Sequence, residues 1–285
     1  MAMAGLISRL RHPFGPPDPV VPVLRLTGVI SAGRGMSAGL SLQSLAEQID
    51  KAFAIKAAPA VALAINSPGG SPVQSALIAK RIRDLAAEKQ KPVLAFVEDV
   101  AASGGYWLAC AGDEIFADAS SIVGSIGVIS AGFGLHEAIA RIGVERRVHT
   151  AGTRKSMLDP FAPERADDVA RLQALQAEVH ESFKAQVRAR RGAALEKAGG
   201  TDLFTGEFWT GAAALDLGLV DGLGDLRSVV RARFGDKVRL RPIAQRQGLL
   251  RRLRPGLAGG HAPAEMVDGV VTALEERLLW QRFGL

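Results

Sequence analysis

The chain has 285 residues, of which 48% are hydrophobic and 22% are charged, a balance typical of a globular protein with a sizeable core. The longest apolar run, from Ala57 to Ile65, is far short of the roughly 20 residues that cross a bilayer. Cys110 is the only cysteine, which excludes an internal disulfide framework. The N-terminus has no recognisable secretory signal, so we expect a reducing, cytoplasmic location.

The net charge of +6 is distributed unevenly along the chain. Between Arg227 and Arg254 there are ten Lys or Arg residues and one acid, Asp236, so this basic segment carries +9 and the rest is slightly acidic. A charge confined to one segment does not indicate a nucleic-acid-binding protein, and we expect no nucleic-acid partner. The basic segment is either a solvated face or a contact for an acidic protein or an anionic membrane, which would place the protein peripherally at the inner membrane.

The first elements alternate between strand and helix. Residues 1–20 form a proline-rich leader, which polyproline geometry keeps extended. A strand is predicted at Val21–Leu26, and apolar residues then recur at helical spacing over residues 42–53. The apolar run that ends at Ile65 predicts a strand buried on both faces.

The next helix begins with a recognisable cap. Ser71 is the expected N-cap, Pro72 occupies the first helical position, and Gln74 would close a capping box. Further strands are predicted at 92–97, 114–117, 126–129 and 144–149, with a helix near residue 102 between the first two. A long helix after Pro163 carries an apolar stripe of Val169, Leu172, Leu175, Val179, Phe183 and Val187. This alternation predicts an α/β fold with a mostly parallel sheet and outer helices.

The C-terminal part does not continue the alternation of strands and helices. We assign one domain to residues 21–235 and a basic linker with a C-terminal amphipathic helix to residues 236–285. The expected helix, Glu265–Trp280, has an apolar stripe of Val267, Val270, Val271, Leu274 and Leu278. Because such a stripe is unfavourable in water, it packs either on its own subunit or on a neighbouring one, and the sequence leaves both open.

Two loops of small residues can form a site for an oxyanion. Asn66 and the pair Gly69–Gly70 follow the buried strand, and adjacent glycines let backbone N–H groups approach a ligand closely. Ser103 and Gly104 lie where a strand leads into a helix, so the serine is open to a substrate. Each loop alone also fits a structural role, the first as a tight turn and the second as a helix cap.

Two further residues would complete a nucleophilic site. A serine needs a base, and Lys155 can serve if burial and positive neighbours lower its pKa. Ser125 lies between two glycines at the start of a predicted strand, where its hydroxyl could orient the lysine. The structural alternatives are a solvated loop lysine and a serine in a β-bulge.

Taken together and in this order, these motifs resemble signal peptide peptidase A and its relatives, which are serine peptidases with a Ser–Lys dyad. The resemblance runs from Val21 to Gly224 and rests on INSPGG, ASGGYW, GSIGV, GTRKSMLDPF and FWTGAAALDLGLVDGLG. It implies a fold similar to that of the caseinolytic protease and crotonase superfamily, a spiral of ββα units.

The resemblance also implies roles for individual residues. Ser103 would be the nucleophile, Lys155 the general base, and Ser125 the residue that hydrogen-bonds to the lysine amine. The expected reaction is hydrolysis of a peptide bond through an acyl-enzyme, on signal-peptide-like or other peptides.

A second group of residues would stabilise the developing negative charge. The resemblance implies an oxyanion hole formed by the amide of Gly104 with that of Gly69 or Gly70, and a loop supported by Asn66. It implies no metal and no other cofactor. The sequence likewise has neither a nucleotide-binding GxxxxGK[ST] loop nor an HExxH zinc motif.

The chain departs from its relatives in two respects. Many relatives have a membrane anchor, whereas this chain has no expected span, which leaves the signal-peptide substrate open. Ser103 and Lys155 also lie in one lobe, whereas tandem relatives divide the dyad between two. Single-lobe relatives assemble into rings or domes, so the resemblance implies a homo-oligomer of about eight subunits. It leaves open whether the dyad is completed within one chain or across a subunit boundary.

Three other functions are compatible with the sequence. A Ser–His–Asp hydrolase would use His149, which lies near the end of a predicted strand. A crotonase-type acyl-CoA enzyme would share the fold and the glycine oxyanion hole but would need no serine nucleophile. An inactive oligomeric scaffold would use the basic segment to partner a membrane protein.

Overall fold

Strands and helices alternate along the chain in a computed structural model that describes residues 18–32, 39–244 and 277–284. The strands are β1 (Val20–Thr27), β2 (Val61–Ser67), β3 (Val93–Ala102), β4 (Glu114–Ala117), β5 (Ile122–Gly124), β6 (Phe208–Thr210), β7 (Gly222–Leu223) and β8 (Arg239–Pro242). The helices are α1 (Leu42–Ala54), α2 (Pro72–Lys89), α3 (Gly104–Ala109), α4 (His136–Arg141), α5 (Ala166–Arg191), α6 (Gly211–Asp216) and α7 (Leu226–Phe234), with a 3-10 helix at Gly192–Ala198.

The strands form a single mixed sheet in the order β6-β5-β3-β2-β1-β8, and β4 pairs with both β3 and β7. Every pairing is parallel except that of β5 with β6. The larger hydrophobic cluster joins α1, α2, α3 and α5 to one face, and the smaller one joins α7 to the other. The predicted α/β fold, with a mostly parallel sheet and outer helices, is therefore confirmed.

The central strand β2 shows why the sheet is buried on both faces. Val61, Leu63 and Ile65 belong to the larger cluster, whereas the alternating alanines Ala62 and Ala64 belong to the smaller one, and all five are inaccessible to solvent. Alternate residues of a strand point to opposite faces. The large side chains therefore pack against the helices on one face of the sheet. The small ones allow α7 to approach the other face closely.

The capped start of α2 differs from the prediction in one detail. The Ser71 hydroxyl accepts a hydrogen bond from the Gln74 amide, as expected. The Gln74 side chain, however, accepts from the backbone amide of Leu42 at 3.0 Å, so it joins α2 to the start of α1 instead of closing a capping box.

Two predicted strands are wrong. The strand expected at 126–129 lies earlier, at β5, and residues 144–149 form no strand. A strand needs a neighbour with which to exchange backbone hydrogen bonds, and neither segment has one among the described residues. Residues 127–165, which we call the arm, include α4, and none of them is buried.

Helix α5 connects the first face of the sheet to the arm. Phe183 stacks on Trp107 of α3 with ring centroids 4.9 Å apart, and Arg191, whose side chain is 5% exposed, forms a bidentate ion pair with Asp221. Of the predicted apolar stripe, only Phe183 and Val187 are buried, and Leu175 is exposed. The C-terminal half of α5 therefore belongs to the core, and its N-terminal half lies outside the core with the arm.

The terminal regions are described only in part. The proline-rich leader lies outside the described residues except for 18–20, as do residues 245–276, which include most of the expected C-terminal helix. Residues 277–281 are helical, and Leu278, the only member of the expected stripe that is described, is 58% exposed. The basic linker expected from residue 236 contributes strand β8 to the sheet beside β1.

We predict that Cys110 is unreactive in the folded protein. Cys110 is fully buried, and this burial raises the pKa of its thiol to about 12, so almost no thiolate forms near neutral pH. Native protein at pH 8 should show no reaction with Ellman's reagent, and the same sample in guanidinium should titrate one thiol. Rapid labelling of the native protein would contradict the burial of this end of α3.

Candidate active site

The site begins at an irregularity between β2 and β3. Ile65 pairs with Val97, but Ser67 pairs with Ala101, so β3 has two extra residues between these points. The Asn66 side chain spans the irregularity, because its oxygen accepts from the Val100 amide at 3.2 Å and its nitrogen donates to Asp99. Beyond this point β3 pairs with β5 instead of β4.

Ser103 follows directly on the redirected end of β3. Its backbone has φ 53° and ψ −122°, a conformation that costs a non-glycine residue on the order of 1–3 kcal/mol. Its amide donates to the carbonyl of Gly124 at 2.8 Å, and its carbonyl accepts from Trp107 in α3. The side chain makes no capping hydrogen bond, so the helix-cap role considered from the sequence is not observed.

The two glycine loops predicted from the sequence lie against each other. A Cβ atom on Gly69 would lie 2.8 Å from the Ser103 Cβ and 2.9 Å from the Gly104 nitrogen. A Cβ atom on Gly104 would lie 3.4 Å from the Gly70 nitrogen. The backbone around Ser103 can therefore be this close only because these positions have no side chain.

The backbone N–H groups of these loops differ in whether they already donate a hydrogen bond. The Gly69 N–H donates to the Ser67 hydroxyl at 3.2 Å. Among the described residues, the N–H groups of Gly70 and Gly104 have no hydrogen-bond acceptor. Of the two pairs left open by the sequence, the structure therefore favours Gly70 with Gly104 as the pair of free donors beside Ser103.

Ser125 lies on the strand next to Ser103. Ala102 and Gly124 are register partners, so the two serines follow adjacent ends of parallel strands. Ser125 is buried and has φ 52°. Its amide donates to the carbonyl of Glu207 at 2.6 Å, and His180 of α5 hydrogen-bonds to the carbonyl of the following residue, Ile126.

No hydrogen bond joins Lys155 to Ser103 or Ser125 within the described residues. Lys155 lies in the arm with an exposed side chain, and its ammonium has no hydrogen-bond partner among the described residues. His149, the base of the alternative Ser–His–Asp reading, is also exposed on the arm and likewise has no partner within the described ranges. Within the described residues, neither candidate base is therefore hydrogen-bonded to Ser103.

Two supporting residues were not predicted from the sequence. Ser67, whose hydroxyl holds the Gly69 amide, is fully buried within INSPGG, where a polar residue in an otherwise apolar strand is the available signal. Ser75 is also fully buried, donates to the Ser71 carbonyl and packs against Gly104. Its position four residues after the helix cap gives no sequence signal for that contact.

Comparison with known proteins identifies the family. A family model described as Peptidase family S49 matches residues 86–238, which is more than half of the chain. The chain belongs to peptidase family S49. The matched residues include Ser103, Ser125 and the whole arm with Lys155, whereas the loop of Gly69 and Gly70 precedes them.

Named relatives agree with this family. A Synechocystis protein described as a protease is 34% identical over 269 residues, which is 92% of this chain and 91% of the relative. The chloroplastic serine protease SPPA of Arabidopsis thaliana is 30% identical over 218 residues, 74% of this chain and 31% of the relative. The resemblance to signal peptide peptidase A is therefore confirmed.

A relative with higher sequence identity is not named as a protease. A Brucella abortus protein named Na(+)/H(+) antiporter NhaA is 54% identical over 293 residues, covering all of this chain. The chain spans 40% of the length of that relative. Within the described part of this S49 chain, no helix is both long and apolar enough to cross a membrane.

Among solved structures, a mutant of the 1510-N membrane-bound stomatin-specific protease is similar to this chain. The similarity has a TM-score of 0.47 and 17% sequence identity, and it covers 80% of this chain and 99% of the other.

We predict that Gly69→Ala abolishes peptidase activity, whereas Gly200→Ala does not. The two glycines have nearly equal φ, +103° and +105°, so both variants place a side chain where residues other than glycine are strained by about 1–3 kcal/mol. Only at Gly69 would the new Cβ meet Ser103 and Gly104, because a Cβ on Gly200 would have no other heavy atom beyond its chain neighbours within 4 Å. Turnover of a peptide substrate and thermal unfolding are measured for both. Equal activity of the two variants would show that the Gly69 contact does not form the site.

Proposed function

We propose that this protein is a serine endopeptidase that uses Ser103 as its nucleophile and Lys155 as its general base. The observation that carries the proposal is the strained backbone of Ser103, held between Gly124 on one side and the Gly69–Gly70 loop on the other. Such strain persists only where the surroundings impose it, and it is characteristic of functional positions. An acyl-CoA enzyme without a serine nucleophile would leave this conformation unexplained.

The free amides supply the second part of the chemistry. When Ser103 attacks a peptide carbonyl, the carbonyl oxygen becomes negatively charged. The N–H groups of Gly70 and Gly104 lie beside Ser103 and are available to donate to that oxygen. Donors that are already oriented stabilise the charge without reorganising, and this is usually the largest electrostatic contribution in such reactions.

The base is proposed to come from a neighbouring copy of the chain. A lysine acts as a base near neutral pH only where burial or positive neighbours lower its pKa. Lys155 is exposed in a single chain, so docking of the arm on a second copy would provide that burial beside Ser103. Ser125, buried next to Ser103, would then accept or donate a hydrogen bond that orients the lysine amine.

The arm has the surface expected for such docking. Ile129, Phe133 and Ile142 are 67%, 81% and 75% exposed, and no residue of the arm reaches a core. Apolar side chains of this size are stabilised by roughly 1.5–3 kcal/mol each when buried. On α2, just after the Gly70 loop, Val73 and Leu77 are also exposed. We propose that arms pack on neighbouring copies in a closed ring or dome, with eight subunits as the expected size.

The proposed reaction proceeds in two steps. Neutral Lys155 takes the proton of Ser103, the serine oxygen bonds to the peptide carbonyl, and the lysine then protonates the departing amine. Water, deprotonated by the same lysine, attacks the acyl-enzyme and releases the carboxylate product while Ser103 regains its proton. Signal-peptide-like and other extended peptides are the proposed substrates.

A peripheral membrane contact remains a prediction that rests on the basic segment. Six of its ten cations lie in described residues: Arg227, Arg231, Arg233, Lys237, Arg239 and Arg241.

Active-site labelling tests the nucleophile. We predict that a fluorophosphonate modifies Ser103 in the wild-type chain, and that Ser103→Ala is neither labelled nor active, since the variant lacks the proposed nucleophilic oxygen. Ser120→Ala, a nearby exposed serine, is the matched control and should label normally. Lys155→Ala should label at least about 100-fold more slowly. Mass spectrometry of the labelled peptide gives the site, and labelling of Ser103→Ala would refute the assignment.

Subunit mixing tests where the base comes from. Ser103→Ala and Lys155→Ala are each expected to be inactive alone. If the dyad forms between copies, a co-assembled 1:1 mixture should recover roughly a quarter of wild-type activity, because a random neighbour pair supplies both intact residues one time in four. Peptide turnover and sedimentation are measured on the same samples. A mixture that assembles but stays inactive would place both residues of each site in one chain.

A further inference from the structure

A hollow lined by arginines lies between α7 and β8. Arg227 and Arg231 lie one turn apart on α7, and Arg239 begins β8. Together with Val238 and Leu240 they line a space of about 330 Å³. No acidic residue lines it. The three arginines are exposed, whereas Val238 and Leu240 are half-buried at its base.

The three guanidinium groups have no partners within the described ranges of the chain. None of them forms an ion pair or a side-chain hydrogen bond there. Arg233, on the same helix, behaves differently, because its two terminal nitrogens contact the two oxygens of Glu114 at 2.5 and 2.6 Å. The neighbouring arginine is thus neutralised by an acid of the same chain, and the three that face the hollow are not.

An anion held among these three positive charges would be attracted by all of them at once. Arginine keeps its proton at every accessible pH, so the hollow keeps all three charges. Each guanidinium offers a planar fork of donors that matches the oxygens of a phosphate. The apolar base formed by Val238 and Leu240 suits the organic part of a phosphate ester rather than a hydrated ion.

We propose that this hollow binds the phosphate group of an organic phosphate. Two sources share this chemistry: the headgroup of an anionic phospholipid, and a soluble phosphate ester. The location allows either, because β8 is an edge strand of the sheet and the hollow opens on the surface. The proposed site shares no residue with the proposed peptidase site.

The test compares two triple variants of the full chain. The first, Arg227→Gln with Arg231→Gln and Arg239→Gln, removes the three guanidinium groups that line the hollow. The second, Lys56→Gln with Arg171→Gln and Lys197→Gln, removes the same charge at exposed positions elsewhere. Circular dichroism and peptide turnover establish that both variants fold, so a failure of the hollow is distinguishable from a failure of the peptidase.

Two binding measurements separate the two sources. Co-sedimentation with phosphatidylglycerol vesicles, against phosphatidylcholine vesicles, tests the headgroup at low salt. Calorimetry with glycerol 3-phosphate, against chloride at equal ionic strength, tests the soluble ester. Saturable binding to one probe identifies the source. We expect the first triple variant to bind that probe roughly 100-fold more weakly than wild type, and the second to stay within about threefold.

Three results would overturn the proposal. The first is wild-type protein that binds neither probe more than its control. The second is an equal loss in both triple variants, which would indicate a general effect of net charge. The third is full binding by a variant with lysine at all three positions, Arg227→Lys, Arg231→Lys and Arg239→Lys, since lysine keeps the charge but has no planar fork.

Discussion

The position of the candidate site depends on how Asn66 holds the irregularity between β2 and β3. Two extra residues in β3 would leave the Val100 amide without a ladder partner, and a buried amide without an acceptor costs about 1–3 kcal/mol. The Asn66 side chain accepts that hydrogen bond, so the strand can bend away from β4 towards β5. The bend brings Ser103 beside Gly124 on one side and Gly69 on the other. One side-chain amide thus links the sheet register to the geometry around the serine.

Helix α5 extends this arrangement beyond the sheet. Phe183 holds α3, and with it the backbone that follows Ser103, while His180 holds the carbonyl after Ser125. Near its C-terminus, Arg191 is fixed by Asp221. Contacts from one helix therefore help to fix both serine-bearing loops, through Trp107 after Ser103 and through Ile126 after Ser125. The N-terminal half of the same helix leads directly out of the arm.

Features that depend on local sequence could be predicted, whereas features that depend on the pairing of distant strands could not. Strand β4 and the start of α2 were predicted closely, because apolar periodicity, Ser71 and Pro72 are local signals. The strand expected at 144–149 does not form, since pairing depends on a neighbouring strand that no local pattern encodes. In the site, the small residues around Ser103 indicated close backbone approach. The irregularity at β3 could not be foreseen, because register is a property of two strands.

If the arm supplies the base to a neighbouring copy, as proposed, the active fraction of the protein depends on its concentration. If the base comes from a second copy, a newly made and dilute chain would be latent and would become competent only when copies meet. Its hydrolytic capacity would then rise more steeply than its abundance at low expression, and collapse when assemblies are diluted. No propeptide would be required to restrain it, because the apolar arm that must find a partner would itself act as the restraint.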